Sequence, residues 1–176
     1  ISSFLILRLP IRHGKSEICA RYFPPYFMSR FPGSEVLITT YGADLSEDLS
    51  RAARRVVQSE EYREAFPGLA LSGESKAADR WALQATTNTE IQPLPGADEA
   101  ESGGLNALGF GGAMIGRGYH LGIVDDFIRK RELIESPTIR GKLWDSFTNE
   151  FLTRRAPVSI TLMSCTPWHT DDLIGR

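Results

Sequence analysis

Short apolar runs alternate along the chain with longer stretches of helical period. Phe4 to Leu9 is a compact, mostly apolar run that predicts a buried strand. Pro10 to Gly14 reads as a loop, and Lys15 to Phe23 as a helix that stops or kinks at Pro24-Pro25. Glu35 to Thr40 (EVLITT) is rich in β-branched residues and predicts a second strand. From Leu45 to Ser59, Leu45, Leu49, Ala52, Ala53 and Val56 recur at helical spacing, with Arg51, Arg54 and Arg55 largely on other faces. Thr86 to Gly104 lacks period and holds Pro93, Pro95 and Gly96, which predicts a surface loop. A third strand, His120 to Val124, ends in Asp125-Asp126. Ser136 and Pro137 read as N-cap and first residue of a helix carrying Ile139, Leu143, Trp144, Phe147 and Phe151. Val158 to Met163 is a fourth strand, followed by "SCTPWHTDDL". Strands alternating with helices predict an α/β fold with a largely parallel sheet flanked by helices.

Composition adds bounds. The 176 residues suffice for one domain with a sizeable core. A hydrophobic share of 41%, a charged share of 24% and a net charge of −2 are ordinary for a globular protein and give no global signature of nucleic-acid binding. Any DNA contact is therefore local or lies elsewhere in a longer protein; Arg51, Arg54, Arg55, Arg129, Lys130 and Arg131 read first as a solvated surface and only second as a local DNA contact. Cys19 and Cys165 are too few for a disulfide framework and read as core thiols; Trp81, Trp144 and Trp168 read as packing residues. No apolar run is long enough to cross a bilayer, so no membrane partner is expected. The chain starts at Ile1 inside a strand-like run and stops at Arg176, and the expectation is a fragment.

Chemistry concentrates in "LPIRHGKSE", Leu9 to Glu17. A phosphate cradle needs a glycine for close approach, a lysine for the β/γ-phosphates and a hydroxyl for Mg²⁺, at a helix start where N–H groups converge on the anion. Gly14, Lys15 and Ser16 supply these between a strand and a helix, but Leu9 stands where the usual first glycine would be. Arg12 and His13 add positive charge, and Arg12 either touches a phosphate or is solvated. Gly-Lys-Ser also opens helices by chance.

Nucleotide hydrolysis further needs a carboxylate for Mg²⁺ and another to polarise water. "LGIVDD" offers Asp125 and Asp126, which read otherwise as a surface strand end. Arg117, eight residues before Asp125, is able to neutralise developing phosphoryl charge or to sit at the surface. Ser164 and Thr166 are placed to sense a γ-phosphate if the fourth strand lies beside the first; otherwise they satisfy loop backbone. His169, Asp171 and Asp172 lack ligands from a second segment and read as caps rather than a metal site.

Taken in order, "LPIRHGKSE", "ITTYGADLSEDLSRAARRVV", "SEEYREAFPG", "SKAADRW", "GFGGAMIGRGYHLGIVDDFI", "SPTIRGKLWDSFTNEFLTR" and "SCTPWHTDDLIGR" resemble the ATPase domain of the phage terminase large subunit, a motor that packages double-stranded DNA. The resemblance spans residues 1–176, with 86–104 looking like an insertion. It implies a P-loop NTPase of the ASCE type and a deviant phosphate loop with a basic residue, here Arg12, in place of the early glycine.

The roles it implies are as follows. Lys15 binds β/γ-phosphates, Ser16 and Asp125 serve Mg²⁺, and Asp126 stands at the catalytic-carboxylate position, where many terminases have glutamate. Ser164 to Thr166 match the motif coupling hydrolysis to movement, and Arg117 is a candidate arginine finger in cis or trans. ATP and Mg²⁺ are the implied cofactors. The implied partners are double-stranded DNA, a portal protein, a small terminase subunit and further copies in a ring, in the bacterial host cytoplasm and transiently at the procapsid portal. An upstream adenine-binding segment and a C-terminal nuclease domain are expected only in a longer parent. Two other readings stay open: another P-loop ATPase such as a helicase-like translocase, or a non-catalytic prophage remnant.

Overall fold

The computed structural model describes residues 2–10, 12–86, 94, 102–112 and 118–176, with the side chains of 74–76 and 102 left aside. Seven strands form one sheet: β1 (Ser2–Arg8), β2 (Val36–Thr40), β3 (Leu69–Lys76), β4 (Arg80–Ala85), β5 (Ser102–Gly109), β6 (Tyr119–Asp125) and β7 (Arg155–Cys165). Their order is β1-β7-β6-β2-β5-β4-β3. The first five in that order are parallel, and β4 and β3 continue the sheet antiparallel. The parallel α/β architecture is as expected from the alternation of elements.

Period-two alternation distributes the central strands between two cores. Val36, Ile38, Leu121, Ile123 and Leu162 face one cluster, which holds Phe27, Met28 and Ala53 from the helices α1 (Phe23–Arg30) and α2 (Ala43–Val57). Leu37, Val124 and Met163 face the other, with Ile134 from α4 (Arg131–Ile134) and with Phe147 and Phe151 from a π-helical turn (Ser146–Phe151) that continues α5 (Pro137–Asp145). Ser136 caps α5 through its hydroxyl, 3.5 Å from Ile139 N, with Pro137 in the first turn as its sequence predicts. A short helix, α3 (Glu60–Ala65), is capped by Ser59 and precedes the β3–β4 hairpin.

Several sequence-based expectations are corrected. The apolar run at the start is not buried: Phe4, Leu5 and Ile6 are 44–57% exposed on β1, which among the described residues is an edge strand paired with β7 alone. The helix after Gly14 does not stop at Pro24-Pro25. A π-helical turn (Glu17–Tyr22) precedes them, with Phe23 N donating to Ile18 O, and α1 begins with the prolines in its first turn, where an N–H is least missed. Helix α2 buries Ser46, Ser50, Ala53 and Val57, whereas Leu45, Leu49 and Val56 lie at the margin. The serines are buried because they are spent: Ser46 donates to Leu108 O at 2.7 Å, and Ser50 Oγ accepts from Trp81 Nε1 at 3.1 Å.

The expected loop 86–104 ends in strand β5. Of that loop, residues 87–93 and 95–101 lie outside the described set. Gly103 and Gly104 punctuate the sequence like loop residues but serve close packing. A Cβ at Gly103 would fall 2.7 Å from Ser34 N, and one at Gly104 3.1 Å from the Glu35 carboxylate.

Glycine positions yield opposite expectations. Gly103→Ala is expected to destabilise by about 1–3 kcal/mol, as overpacking against backbone does. Gly141→Ala, inside α5 with open space around its Cβ, is expected to stabilise by about 0.5–1 kcal/mol. Urea-unfolding midpoints check both; an unchanged Gly103→Ala protein would refute the packing account.

Candidate functional site

The site lies at the carboxyl ends of β1, β7 and β6, which are consecutive in the sheet. Strand register fixes the alignment: Arg8 lies opposite Cys165, Leu7 opposite Ser164, and Asp125 opposite Ser164. The fourth expected strand thus lies beside the first, the condition set for Ser164 and Thr166 to share a site with Lys15. The loop leaving β1 turns through two left-handed residues, Arg12 at φ 66° and Gly14 at φ 77°, before Lys15 and Ser16 start the helix. Gly14 adopts this conformation freely, whereas Arg12 holds it at a cost.

Lys15 is 5% exposed, yet its ammonium is paired. Nζ lies 2.7 Å from Thr166 Oγ1 and 3.2 Å from Asp126 Oδ1. Three segments distant in sequence converge on one side-chain atom. Asp126 is itself held by backbone, donating N–H to Ser164 O and accepting from Tyr41 N, both at 3.2 Å, with φ at 42°. Aspartate tolerates this left-handed geometry better than most residues. A cavity of about 220 Å³ opens between Arg12, Gly14, Lys15, Ser16, Glu17 and Asp126.

Asp125 differs from its neighbour. It is 1% exposed, and its Oδ1 has no hydrogen-bond partner among the described residues; neither does the buried Ser164 Oγ. Burial pushes the Asp125 carboxyl above the usual carboxylate range. The nearby Ser16 hydroxyl opposes this, the Asp126 charge adds to it, and the Ser164 hydroxyl and Lys15 charge oppose it. The proximity of Ser164 thus reaches Asp125 electrostatically without a well-formed hydrogen bond. The buried Cys19 thiol is also shifted upward by burial.

An orphaned carboxylate oxygen beside a serine hydroxyl fits a hard cation that takes few protein ligands and completes its shell with phosphate and water, as Mg²⁺ does. No group of three or more His, Cys, Asp or Glu side chains suited to hold a metal occurs among the described residues.

Of the expected site residues, Arg12, Gly14, Lys15, Ser16, Asp125, Asp126, Ser164 and Thr166 come together. His13 is exposed on the same loop. Arg117 lies outside the described residues. The His169–Asp172 segment makes no metal site. Asp172 instead accepts four backbone N–H groups: Trp168 and His169 at Oδ2, Ile174 and Gly175 at Oδ1, each at 3.0–3.1 Å. The carboxylate thus caps its own loop rather than a helix. Asp171 joins Arg140 and Arg176 in an ion-pair network, which holds its carboxyl well below the usual range.

Among the basic candidates for DNA contact, Arg51 is paired with Glu47 and Asp48, and Arg129 lies over the Tyr41 ring. No helix among the described residues is long and apolar enough to cross a membrane.

No protein-family model matches the chain, and no curated protein matches it in sequence. Solved structures do match its fold. Two are of the Thermus phage P74-26 large terminase ATPase domain, one of them a point mutant. They align at TM-scores of 0.53 and 0.52 with 14% identity, over 94% of this chain and about 60% of theirs. The HK97 bacteriophage large terminase aligns at a TM-score of 0.55 and 14% identity, over 98% of this chain and 31% of its own. The chain therefore has the fold of a phage large terminase ATPase domain and spans about 60% of the two ATPase-domain chains and 31% of the HK97 chain.

The upward shift at Asp125 sets a pH expectation. A carboxyl whose folded value is raised binds its proton more tightly in the folded state than in the unfolded one. Its contribution to stability therefore falls as pH rises from the ordinary carboxylate value through the raised one. Asp125→Asn removes that burden, so the variant's gain in melting temperature over the parent is expected to be larger in neutral than in mildly acidic buffer. Thermal melts at the two pH values check this; a difference between variant and parent that is the same at both would overturn it.

Proposed function

We propose that this chain is the ATP-hydrolysing part of a viral DNA-packaging motor, a terminase large subunit. The single observation that carries the reading is the convergence of Thr166 and Asp126 on Lys15 Nζ at the carboxyl edge of a parallel sheet, beside a loop–helix start. The likeness in fold to large terminase ATPase domains supports it.

In this reading ATP lies over the loop from Arg12 to Ser16, at the edge where open α/β sheets bind ligands. The Gly14 to Ser16 backbone and the helix start receive the phosphates, and Arg12 and His13 add charge around them. Ser16 and Asp125 would hold Mg²⁺, which would supply charge neutralisation on the phosphates. Phosphate oxygens take Lys15 from Asp126. The freed carboxylate then orients and deprotonates the attacking water, in the role of general base. Aspartate here reaches about one methylene less than the glutamate common at this position, so either the water is held differently or turnover is slower.

Thr166 loses its bond to Lys15 in the same exchange, and the segment after β7 shifts with the phosphate state. Arg117 serves as the arginine that neutralises the transferred phosphoryl group, in its own site or a neighbour's. The cargo is double-stranded DNA. The partners are a portal protein, a small terminase subunit and further copies of the chain, in the bacterial host cytoplasm and at the procapsid portal.

Calorimetric titration with ATP·Mg²⁺ tests the reading on this chain. The parent is expected to bind saturably. Lys15→Ala is expected to lose at least about tenfold in affinity, since a charged hydrogen bond contributes about 1.5–3 kcal/mol. Asp126→Asn is expected to keep binding while losing turnover. A folded parent that does not bind, or a Lys15→Ala variant that binds equally well, would sink the reading.

A further inference from the structure

The carbonyl of Asp126 accepts from Tyr41 N at 3.2 Å, and that bond lies just past the end of a ladder. Strand β2 pairs with β6 only as far as Thr39, opposite Val124. On its other side it pairs with β5 through Thr40, opposite Gly109. Tyr41 therefore meets Asp126 outside the sheet, in the turn that leads from β2 into α2. Whatever aims the Tyr41 N–H decides how firmly that bond is held.

Packing does not aim it. Tyr41 is 39% exposed. Tyr41 and Gly42 line two cavities, one of about 470 Å³ shared with Phe127 and Leu133 after β6, the other of about 450 Å³ shared with Gly109 and Gly111 at the end of β5. The turn is thus bordered by space toward both neighbouring strands. Hydrogen bonds of Thr40 and Ser46, both fully buried, hold it instead. Thr40 Oγ1 spans the turn, donating to Gly42 O at 2.8 Å and accepting from Gly42 N at 3.3 Å. Thr40 N donates to Ser46 Oγ at 3.0 Å, and the Ser46 hydroxyl donates to Leu108 O at 2.7 Å. Thr40 O accepts from Phe110 N at 2.7 Å. Every polar atom of Thr40 is engaged, and together these bonds tie β2, the start of α2 and the end of β5.

The need for a held partner arises at Asp126. Its φ of 42° is left-handed, and a residue other than glycine keeps such a conformation only where its surroundings impose it. Two backbone bonds do so: its N–H to Ser164 O, and its C=O from Tyr41 N. They set the direction of the carboxylate, whose Oδ1 lies 3.2 Å from Lys15 Nζ.

We propose that Thr40, with Ser46 behind it, is a positioning residue for Asp126. By fixing the 40–42 turn it keeps the Tyr41 N–H on the Asp126 carbonyl, and so keeps the carboxylate at the loop, where the reading above places the attacking water. The proposal rests on that nucleotide reading and adds to it a determinant of turnover that touches neither nucleotide nor metal. Without the hydroxyl the turn loosens, Asp126 relaxes toward an ordinary extended conformation, and its carboxylate leaves Lys15. Phosphate affinity does not suffer, because Gly14, Lys15 and Ser16 are untouched and Lys15 loses a competitor for its charge.

Thr40→Val, which removes the hydroxyl at nearly constant volume, tests this on the 176-residue chain. ATP·Mg²⁺ affinity by calorimetry and steady-state hydrolysis are measured side by side, with amide hydrogen exchange on the protein without nucleotide. Thr40→Val is expected to lose roughly ten- to a hundredfold in kcat, the scale of a small misplacement of a catalytic group. Its ATP·Mg²⁺ affinity is expected at or above the parent's, which also shows that the variant is folded. Its Tyr41 amide is expected to exchange several-fold faster than the parent's. Thr40→Ser keeps the hydroxyl and should restore most of the rate, which a side chain needed only to fill space would not do. Ser46→Ala should lose a smaller part of kcat with the same unchanged affinity. Full kcat in both Thr40→Val and Ser46→Ala, a loss of affinity in step with rate, or no rescue by serine would overturn the positioning role and leave the nucleotide reading standing. A folded parent that binds no ATP·Mg²⁺ would take both down together.

Discussion

A buried ammonium group organises this end of the molecule. Lys15 is almost fully removed from water, and an uncompensated charge there would be prohibitive. Compensation comes from Asp126 after β6 and Thr166 after β7. The loop leaving β1 can hold its lysine inward only if those two strand ends stand where they do. The strand order meets that demand by interposing β7 between β1 and β6. Registers at Leu7, Ser164 and Asp125 bring the three ends level.

The two adjacent aspartates show how one backbone step separates two chemistries. Asp125 is the last residue of β6, buried and short of a partner. Asp126, a residue later and in a left-handed conformation, points its carboxylate at Lys15 and is half-exposed. Burial disfavours charge on the first. The second faces the Lys15 ammonium at 3.2 Å.

Much of this was legible in the sequence, for identifiable reasons. Gly14-Lys15-Ser16 after an apolar run and Asp125-Asp126 after another mark strand ends by composition alone, and the parallel sheet follows from alternation. The contact between Lys15 and Thr166 was legible only conditionally, because strand order is a long-range property. What was missed has physical causes. Ser46 and Ser50 are polar, so a hydrophobic pattern placed the buried face of α2 on Leu45 and Leu49 instead. Gly103 and Gly104 looked like loop because crowding by Ser34 and Glu35 leaves no trace in local sequence. Strand β4 buries only Trp81 and Leu83, and its six residues include no β-branched side chain to mark a strand. Nothing in the polarity of Phe4, Leu5 and Ile6 distinguishes an edge strand from a central one.

The edge position of β1 has a mechanical consequence. Among the described residues, every ladder bond that holds the strand goes to β7, so β1 is clamped there along one side, with the loop at its tip. A displacement of β7 reaches that tip without passing through a second neighbour that would resist it. The same displacement reaches β6 from the other side. Stiffness is thus distributed unevenly around the lysine, with the compliant arm on the side of the loop and the firm anvil on the side of the aspartates.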